Sequence, residues 1–368
     1  MYPIRVLQVF GKMNRAGAET FIMNVYRNID KSKIQFDFLV YSNEIGDYDH
    51  EIQQLGGKIY RLPPLKIQTL YKFKKSLNLF FQNNPHYSII HSHLDTLSSF
   101  YLKAAKKAGI PVRIAHSHTS NIPLELKAVF RIYSKQFINF YATHKFACSK
   151  NAYKWLFRED FIKSESNQIV NNGIEIKKFL YKIDLRTKIR KDLNLEDKFV
   201  IGCVGKFTKT KNHKFLLEIF KDIQKKEPNS ILVLIGTGAL KKSIQEKAKN
   251  LGVDENILFL GSRNDVNELL QALDVLVLPS LYEGFPVTLV EAQAASLPCV
   301  VSNVITNEVE LTDLIKFVGL DDPVGKWSKE ILNVRNKKRS NKEREIIEKG
   351  FDIKNVARCL ETFFINNN

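Results

Sequence analysis

The sequence predicts an α/β protein built from two doubly wound parallel sheets, and three observations lead there. Short apolar runs rich in Val and Ile recur along the whole 368 residues, each followed by a stretch of helical spacing. The runs are apolar throughout instead of alternating, as in strands covered on both faces. They also fall into two sets on either side of a charged stretch, 181–198, which is the expected linker in a chain too long for one ordinary domain.

In the first set, residues 4–10 read as a strand, 17–28 as a helix and 35–40 as a strand. Residues 88–91 and 112–115 read as short buried strands that end in histidine-bearing loops. In the second set, 199–204 is a strand followed by a basic loop and a helix over 213–225. A strand over 230–235 leads through Gly236-Thr237-Gly238 into a helix over 240–250, and strands at 257–260, 275–278 and 299–302 complete the set. The expected domains are 1–180 and 190–345, with a C-terminal helix near 351–366 returning to the first. In open α/β sheets ligands bind at the carboxyl ends of strands. The cleft between two facing sheets is therefore the expected site.

Composition narrows the function. Apolar residues make up 44%, with 25 Phe and 13 Tyr, enough for sizeable cores. Cys148, Cys203, Cys299 and Cys359 form no CxxC pair, which argues against a disulfide framework or zinc site and for a reducing compartment. Residues 1–10 look like a buried strand instead of a signal peptide, and no run reaches the ~18 apolar residues of a bilayer span. A cytoplasmic protein is expected. The net charge is +17, and residues 1–180 carry 26 basic against 13 acidic side chains. The first half thus faces an acidic partner, a nucleic acid or an anionic membrane surface. No GxGxxG or GxxxxGK[ST] follows a predicted strand, which disfavours a dinucleotide-dependent or P-loop enzyme.

The segment 279–298, PSLYEGFPVTLVEAQAASLP, carries the chemistry. A strand stops at Pro279, and a loop presents Glu283, Gly284, Phe285 and Pro286. A helix then starts near Val287 and bears Glu291. Pro286 suits a first helical turn, and Gly284 admits close approach of a ligand to the backbone. The helix start offers N–H groups to a phosphate. Carboxylates on both sides of such a start suit a ligand with hydroxyls on both sides of its phosphates, as in a nucleotide-diphosphate sugar. An ordinary surface role for Glu291 fits poorly with its neighbours Val290 and Ala292.

EGFPVTLVE (283–291) resembles the E-x7-E motif of retaining glycosyltransferases of the GT-B fold, family 4. Other segments resemble the family in its order: Asn14 to Glu19, VNNGIE (170–175), GKFTKTKNHKFLLEIF (205–220), IGTGAL (235–240) and FLGSRNDV (259–266). RIAHSHT (113–119) resembles members that build capsular or exopolysaccharide repeat units. The resemblance implies two Rossmann-like domains facing across a cleft, the first binding a glycan or lipid-linked acceptor and the second a nucleotide-sugar, UDP by default. It implies hexosyl transfer, with Glu283, Lys211 and His116 as catalytic residues. Lys206 and Lys211 would neutralise the leaving diphosphate, Lys206 standing where the family usually has arginine. Glu283 would contact the donor sugar, Glu291 the ribose, and the backbone from Phe285 to Val287 sugar and phosphate. Gly17 would let a first-domain loop close on the phosphate, and Arg263, with Ser262, would border the base. His116 would sit beside the donor sugar, with His118 as the fallback.

His91, His93, His116 and His118 follow two neighbouring strand ends, but only Asp95 offers to complete a metal set, and no D-x-D precedes a strand end. No metal and no cofactor are expected. The acceptor side is faintly marked by helix-like, basic and aromatic stretches at 70–81 and 124–141. The latter carries Lys127, Arg131 and Lys135 at i, i+4 spacing. These stretches suit a peripheral membrane contact or core packing. The rival readings are a nucleotide-sugar 2-epimerase of the same fold, a non-catalytic partner subunit, and a nucleic-acid-binding protein, for which no recognition motif is present.

Overall fold

A computed structural model of the chain describes residues 2–65, 67–119 and 128–368. The chain divides into two compact units, Met1–Ile174 with Gly350–Asn368, and Glu175–Lys349.

The first unit holds seven parallel strands: β1 (Ile4–Phe10), β2 (Ile34–Val40), β3 (Ile59–Arg61), β4 (Ile89–Ser92), β5 (Val112–Ser117), β6 (His144–Ala147) and β7 (Asn167–Ile169). Their order is β3-β2-β1-β4-β5-β6-β7. The strand direction of travel reverses between β1 and β4, so the chain leaves these two neighbours toward opposite edges and opens a crevice at their carboxyl ends. Helix Gly17–Asn28 buries Phe21, Ile22, Val25 and Tyr26, an i, i+1, i+4, i+5 stripe against the sheet. Helix Ile353–Asn366 belongs to this unit. Asp352 caps its start and bridges to Ile174, and Phe364 meets Phe36 edge-on while Phe363 meets Phe146. Within β2, buried Asp37 accepts from Nε and Nη2 of Arg5 at 2.6 and 2.5 Å, from Tyr87 at 2.6 Å and from the Lys58 N–H at 2.7 Å.

The second unit holds β8 (Phe199–Val204), β9 (Ser230–Ile235), β10 (Ile257–Gly261), β11 (Val275–Leu278), β12 (Cys299–Ser302) and β13 (Ile315–Val318), all parallel. The order is β10-β9-β8-β11-β12-β13, with the corresponding switch between β8 and β11. The four cysteines are free thiols, three of them buried. Among the described residues no helix is long and apolar enough to cross a membrane.

The charged stretch 181–198 is not a linker. It forms helix Ile183–Asp192, whose Arg186 and Arg190 reach Asp274 at 2.6 and 3.3 Å just before β11. Its arginines are thus structural partners of the second sheet. The helix-like stretch 124–141 is broken. Helices Ala128–Lys135 and Ile138–Tyr141 are separate, and the part before 128, with Lys127, lies outside the described residues.

Candidate active site

The β8–β11 switch point assembles the residues that the sequence separates by some seventy positions. After β8 the chain runs through Gly205 and Lys206 into a short 3-10 turn, Lys209–Lys211. After β11 it runs through Pro279 to Pro286 before helix Val287–Ala294. The two loops are tied where the Leu281 N–H donates to the Thr210 carbonyl at 2.7 Å. Lys211 Nζ then lies 2.6 Å from Glu283 Oε1, with both side chains about 15% exposed (16% and 14%). The same carboxylate oxygen accepts from Ser280 Oγ at 2.7 Å, and the Ser280 carbonyl is held by Ser302 Oγ at 2.6 Å. Glu283 is therefore fixed from two sides, with its partner cation beside it.

The loop after β9 supports this arrangement by backbone packing. Gly236 has φ +141°, and a Cβ there would lie 2.1 Å from the Gly205 carbonyl oxygen. Only glycine supplies both that conformation and that approach.

Pro286 stands at the N-cap of helix Val287–Ala294, one residue earlier than a first-turn position, and its carbonyl accepts from the Leu289 N–H. Phe285 and Pro286 are buried, whereas Gly284 and Val287 are half-buried. The helix is apolar around most of its circumference, and its two long polar side chains differ in one respect. Gln293 is saturated: it donates to the Leu289 and Val309 carbonyls and accepts from Leu311 N, Thr312 N and Thr312 Oγ. Glu291 makes no side-chain hydrogen bond or ion pair among the described residues. Loss of hydration alone pushes its carboxyl up to about 7. A half-buried carboxyl without a partner is costly unless something else supplies hydrogen bonds to it.

Lys206 is exposed and makes no ion pair among the described residues. Arg263, beyond β10, is exposed and held in a fork by Asp265, Nε to Oδ1 at 2.8 Å. Its guanidinium is engaged locally and does not join the Lys211–Glu283 pair. A nearby depression lined by Thr208, Asn212, His213, Leu240 and Leu281 includes none of Lys211, Glu283 and Glu291.

In the first unit, the β1–β4–β5 ends gather the four histidines. His91 Nε2 and His116 Nδ1 are 3.0 Å apart, His93 Nδ1 and His118 Nε2 2.8 Å, and His93 Nε2 meets Gln8 Oε1 at 2.9 Å. Gln8 is a residue that sequence reasoning missed. Its signal is one buried polar side chain inside the apolar run IRVLQVF. Because Gln8 Oε1 only accepts, His93 carries its proton on Nε2, so its Nδ1 accepts from His118 Nε2–H. Burial drives all four rings down from the usual histidine value, His118 to about 3, so they stay neutral. His91 Nδ1, His116 Nε2 and His118 Nδ1 are buried without hydrogen-bond partners among the described residues. One ring nitrogen from each of His91, His93 and His116 lies within 4.8 Å of the others, a spacing able to surround a cation, but no carboxylate or thiolate among the described residues joins the set. Asp95 turns elsewhere, accepting from the His118 N–H at 2.8 Å, and burial raises its carboxyl to about 7. Gly17 opens helix Gly17–Asn28, and a Cβ there would meet nothing within 4 Å.

Comparison with known proteins shows the family. The family model described as "Glycosyl transferases group 1" matches residues 186–350, and that described as "Glycosyltransferase Family 4" matches residues 15–178. The chain is 34% identical to the Bacillus subtilis (strain 168) protein named "Putative glycosyltransferase EpsF", over 98% of this chain and 97% of that one. It is 30% identical to the Escherichia coli UDP-Gal:alpha-D-GlcNAc-diphosphoundecaprenol alpha-1,3-galactosyltransferase, over 76% of each chain. Among solved structures, Anabaena Alr3699/HepE in complex with UDP and glucose superposes with a TM-score of 0.76 at 17% identity, covering 99% of this chain and 97% of that one, a likeness of fold. With two Rossmann-like parallel sheets, the β8–β11 site and a relative that spans nearly its whole length, the chain belongs to the group 1, family 4 glycosyltransferases of the GT-B fold.

Proposed function

We propose that the protein transfers a hexosyl unit, with retention of anomeric configuration, from a UDP-sugar to a glycan or lipid-linked acceptor at the cytoplasmic face of the membrane, in cell-surface polysaccharide synthesis. The observation that carries the donor half is the pairing of Lys211 with Glu283 at the switch point, beside a helix whose Glu291 lacks a partner. A nucleotide-diphosphate sugar supplies the hydrogen bonds that Glu291 lacks and adds to the Lys211–Glu283 pair. Its ribose diol donates to Glu291, and its diphosphate draws on Lys211 and the exposed Lys206. Its sugar hydroxyls share Glu283, and the backbone from Gly284 to Val287 lines the phosphate. Arg263 borders the base through its loop, its guanidinium being occupied by Asp265. Within the first unit, His116 keeps an unpartnered Nε2 able to meet a sugar hydroxyl. The named relatives support a UDP donor and a diphosphoundecaprenol-linked acceptor, since one of them acts on such a pair.

The reaction breaks the bond between the sugar C1 and the β-phosphate oxygen and forms one from C1 to an acceptor oxygen on the same face. The acceptor's proton passes to the departing phosphate. Negative charge grows on the diphosphate as that bond lengthens, and fixed cations there lower the barrier. Lys211 is such a cation, so no divalent metal is required, and transfer should survive a chelator. Glu283 Oε1 is already engaged by Lys211 and Ser280, which suits a hydrogen-bonding role more than a covalent one.

The test is a thermal-shift screen over nucleotide-sugars followed by transfer assays. A donor at a hundred times its Kd stabilises by about 2.7 kcal/mol. UDP-sugars should stabilise the protein, and Glu283→Ala should abolish transfer without unfolding it. Stabilisation by none of them, or near-normal turnover by Glu283→Ala, would overturn the proposal. Conversion of a nucleotide-sugar without any acceptor would identify an epimerase instead.

A further inference from the structure

Of the four clustered imidazoles in the first unit, one keeps surface. His91, His93 and His116 are at most 5% exposed, whereas His118 is half-buried. His118 is held at both of its ends. At the main chain, Asp95 accepts from the His118 N–H at 2.8 Å and from the Thr119 N–H. Asp95 takes φ +46° there, in the left-handed region that Asp tolerates and most residues avoid. At the ring, His118 Nε2 meets His93 Nδ1 at 2.8 Å. His93 is itself fixed on three sides. Its N–H donates to the Val9 carbonyl at 3.0 Å, its ring stacks on Phe10 with centres 4.4 Å apart, and its Nε2 meets Gln8 Oε1 at 2.9 Å.

Gln8 does little for the stability of β1. It is fully buried between Leu7 and Val9, and its Nε2 has no partner among the described residues. An orphaned buried donor costs at least what its one hydrogen bond returns, so packing gives no reason for an amide at this place. A fixed proton on His93 does give one. The Gln8 oxygen only accepts, which puts the His93 proton on Nε2 and leaves His93 Nδ1 a lone pair. His118 then donates from Nε2, and its own Nδ1 becomes a lone pair. That Nδ1 is buried and has no partner among the described residues, so a donor from a ligand would complete it.

We infer that Gln8, His93 and Asp95 are positioning residues that hold His118 in its Nε2-protonated form and place, leaving Nδ1 as the acceptor for a substrate hydroxyl. The inference rests on the reading that histidines of the first unit meet a sugar hydroxyl, and it names the residues that decide whether such a ring accepts or donates. Gln8 and His93 set the direction of the hydrogen bonds, and Asp95 sets the turn that carries the ring. An accepting Nδ1 favours a hydroxyl over a phosphate or carbonyl oxygen, which can only accept. Gln8 and His93 act through His118 and need touch no substrate themselves.

The test first reads the tautomer, with no substrate present. Nitrogen-15 NMR of the full chain, labelled at histidine and with the His118 signals assigned by their loss in His118→Asn, should show His118 protonated at Nε2 and bare at Nδ1 at pH 7. Gln8→Met keeps the length of the side chain and removes the acceptor, and both tautomers of His118 should appear in it. Transfer is then measured with the UDP-sugar that stabilises the parent most. Gln8→Met should lower kcat/KM about tenfold, the worth of one hydrogen bond to the substrate, and so should Asp95→Ala. Asp95→Asn, which keeps an accepting oxygen and tolerates the left-handed turn, should recover most of that loss. A His118 protonated at Nδ1 in the parent, a tautomer unchanged in Gln8→Met, or a Gln8→Met variant that transfers as fast as an active parent would overturn the inference. A parent that transfers from no UDP-sugar would count against the reading of function instead, and the tautomer in the parent would still decide the inference.

Discussion

Replacing Glu291 with glutamine tests the donor site from both of its states. Holding the carboxyl up at about 7, against an ordinary 4.5, corresponds to roughly 3 kcal/mol of disfavour for its ionised form. Between those two values the folded protein keeps a proton that the unfolded chain has lost. The group's contribution to stability therefore falls as pH rises from 4.5 and reaches its full penalty above 7. Glutamine has the same shape and no such penalty. In the absence of ligand, Glu291→Gln should be more stable than the parent at pH 8, by up to about 3 kcal/mol, and the gain should vanish toward pH 4.5. With the donor the order reverses. A ribose diol donates best to a carboxylate, so the parent should bind a UDP-sugar more tightly as pH rises through 7. The variant gives up a charge-assisted hydrogen bond, roughly 1.5–3 kcal/mol, and should bind about ten- to a hundredfold more weakly with no such pH dependence. Chemical denaturation at pH 5, 6.5 and 8, with calorimetric titration of a UDP-sugar at the last two, reads both effects. A variant as stable as the parent at pH 8 that also binds the donor equally well would refute the reasoning.

Two further predictions concern the first unit. His118, held near 3 by burial, leaves the folded state unable to take up the proton that the unfolded chain binds below about 6.5. Stability should therefore drop as pH falls from 6.5, by about 1.4 kcal/mol per pH unit for each such histidine, and His118→Asn should show a slope shallower by one proton in denaturation measured from pH 7 to 5. Asp37 is lowered too, but by its partners instead of by burial. Burial alone would raise its carboxyl, but hydrogen bonds from Arg5, Tyr87 and the Lys58 N–H outweigh burial and leave it lowered. Asp37→Ala strands Arg5 and Tyr87 and should cost about 3–5 kcal/mol in urea denaturation at pH 7.

The central strands were legible because burial on both faces leaves an unbroken apolar run. Residues 4–10, 199–204, 230–235, 275–278 and 299–302 were placed to the residue. The edge strands β3 and β7 were not, and their sequences show why. β3 (IYR) and β7 (NQI) are three residues long and half-exposed, so neither length nor hydrophobicity separates them from loop. The stretch 181–198 misled for a related reason. Its charges suggested solvent, yet Arg186 and Arg190 are spent on Asp274, some eighty residues away. At the site, Glu283, Lys211 and Glu291 were each visible as residues, Glu283 and Glu291 by their spacing. That Lys211 and Glu283 pair with one another was invisible, since it depends on β8 and β11 being neighbours at the switch of the sheet. The histidine cluster was visible as four rings near two strand ends. Its internal pairing, and the part of Gln8 in it, required the register that sets β1 beside β4 and β4 beside β5.

The most direct test of the central claim, that the nucleotide-sugar sits at the β8–β11 switch, is hydrogen–deuterium exchange of the intact protein with and without saturating UDP. Slowed exchange should concentrate in 205–213 and 279–291, the segments joined by Lys211 and Glu283, and should be lost from both together in Glu283→Ala. Protection that leaves these two segments unchanged and appears elsewhere would contradict the account.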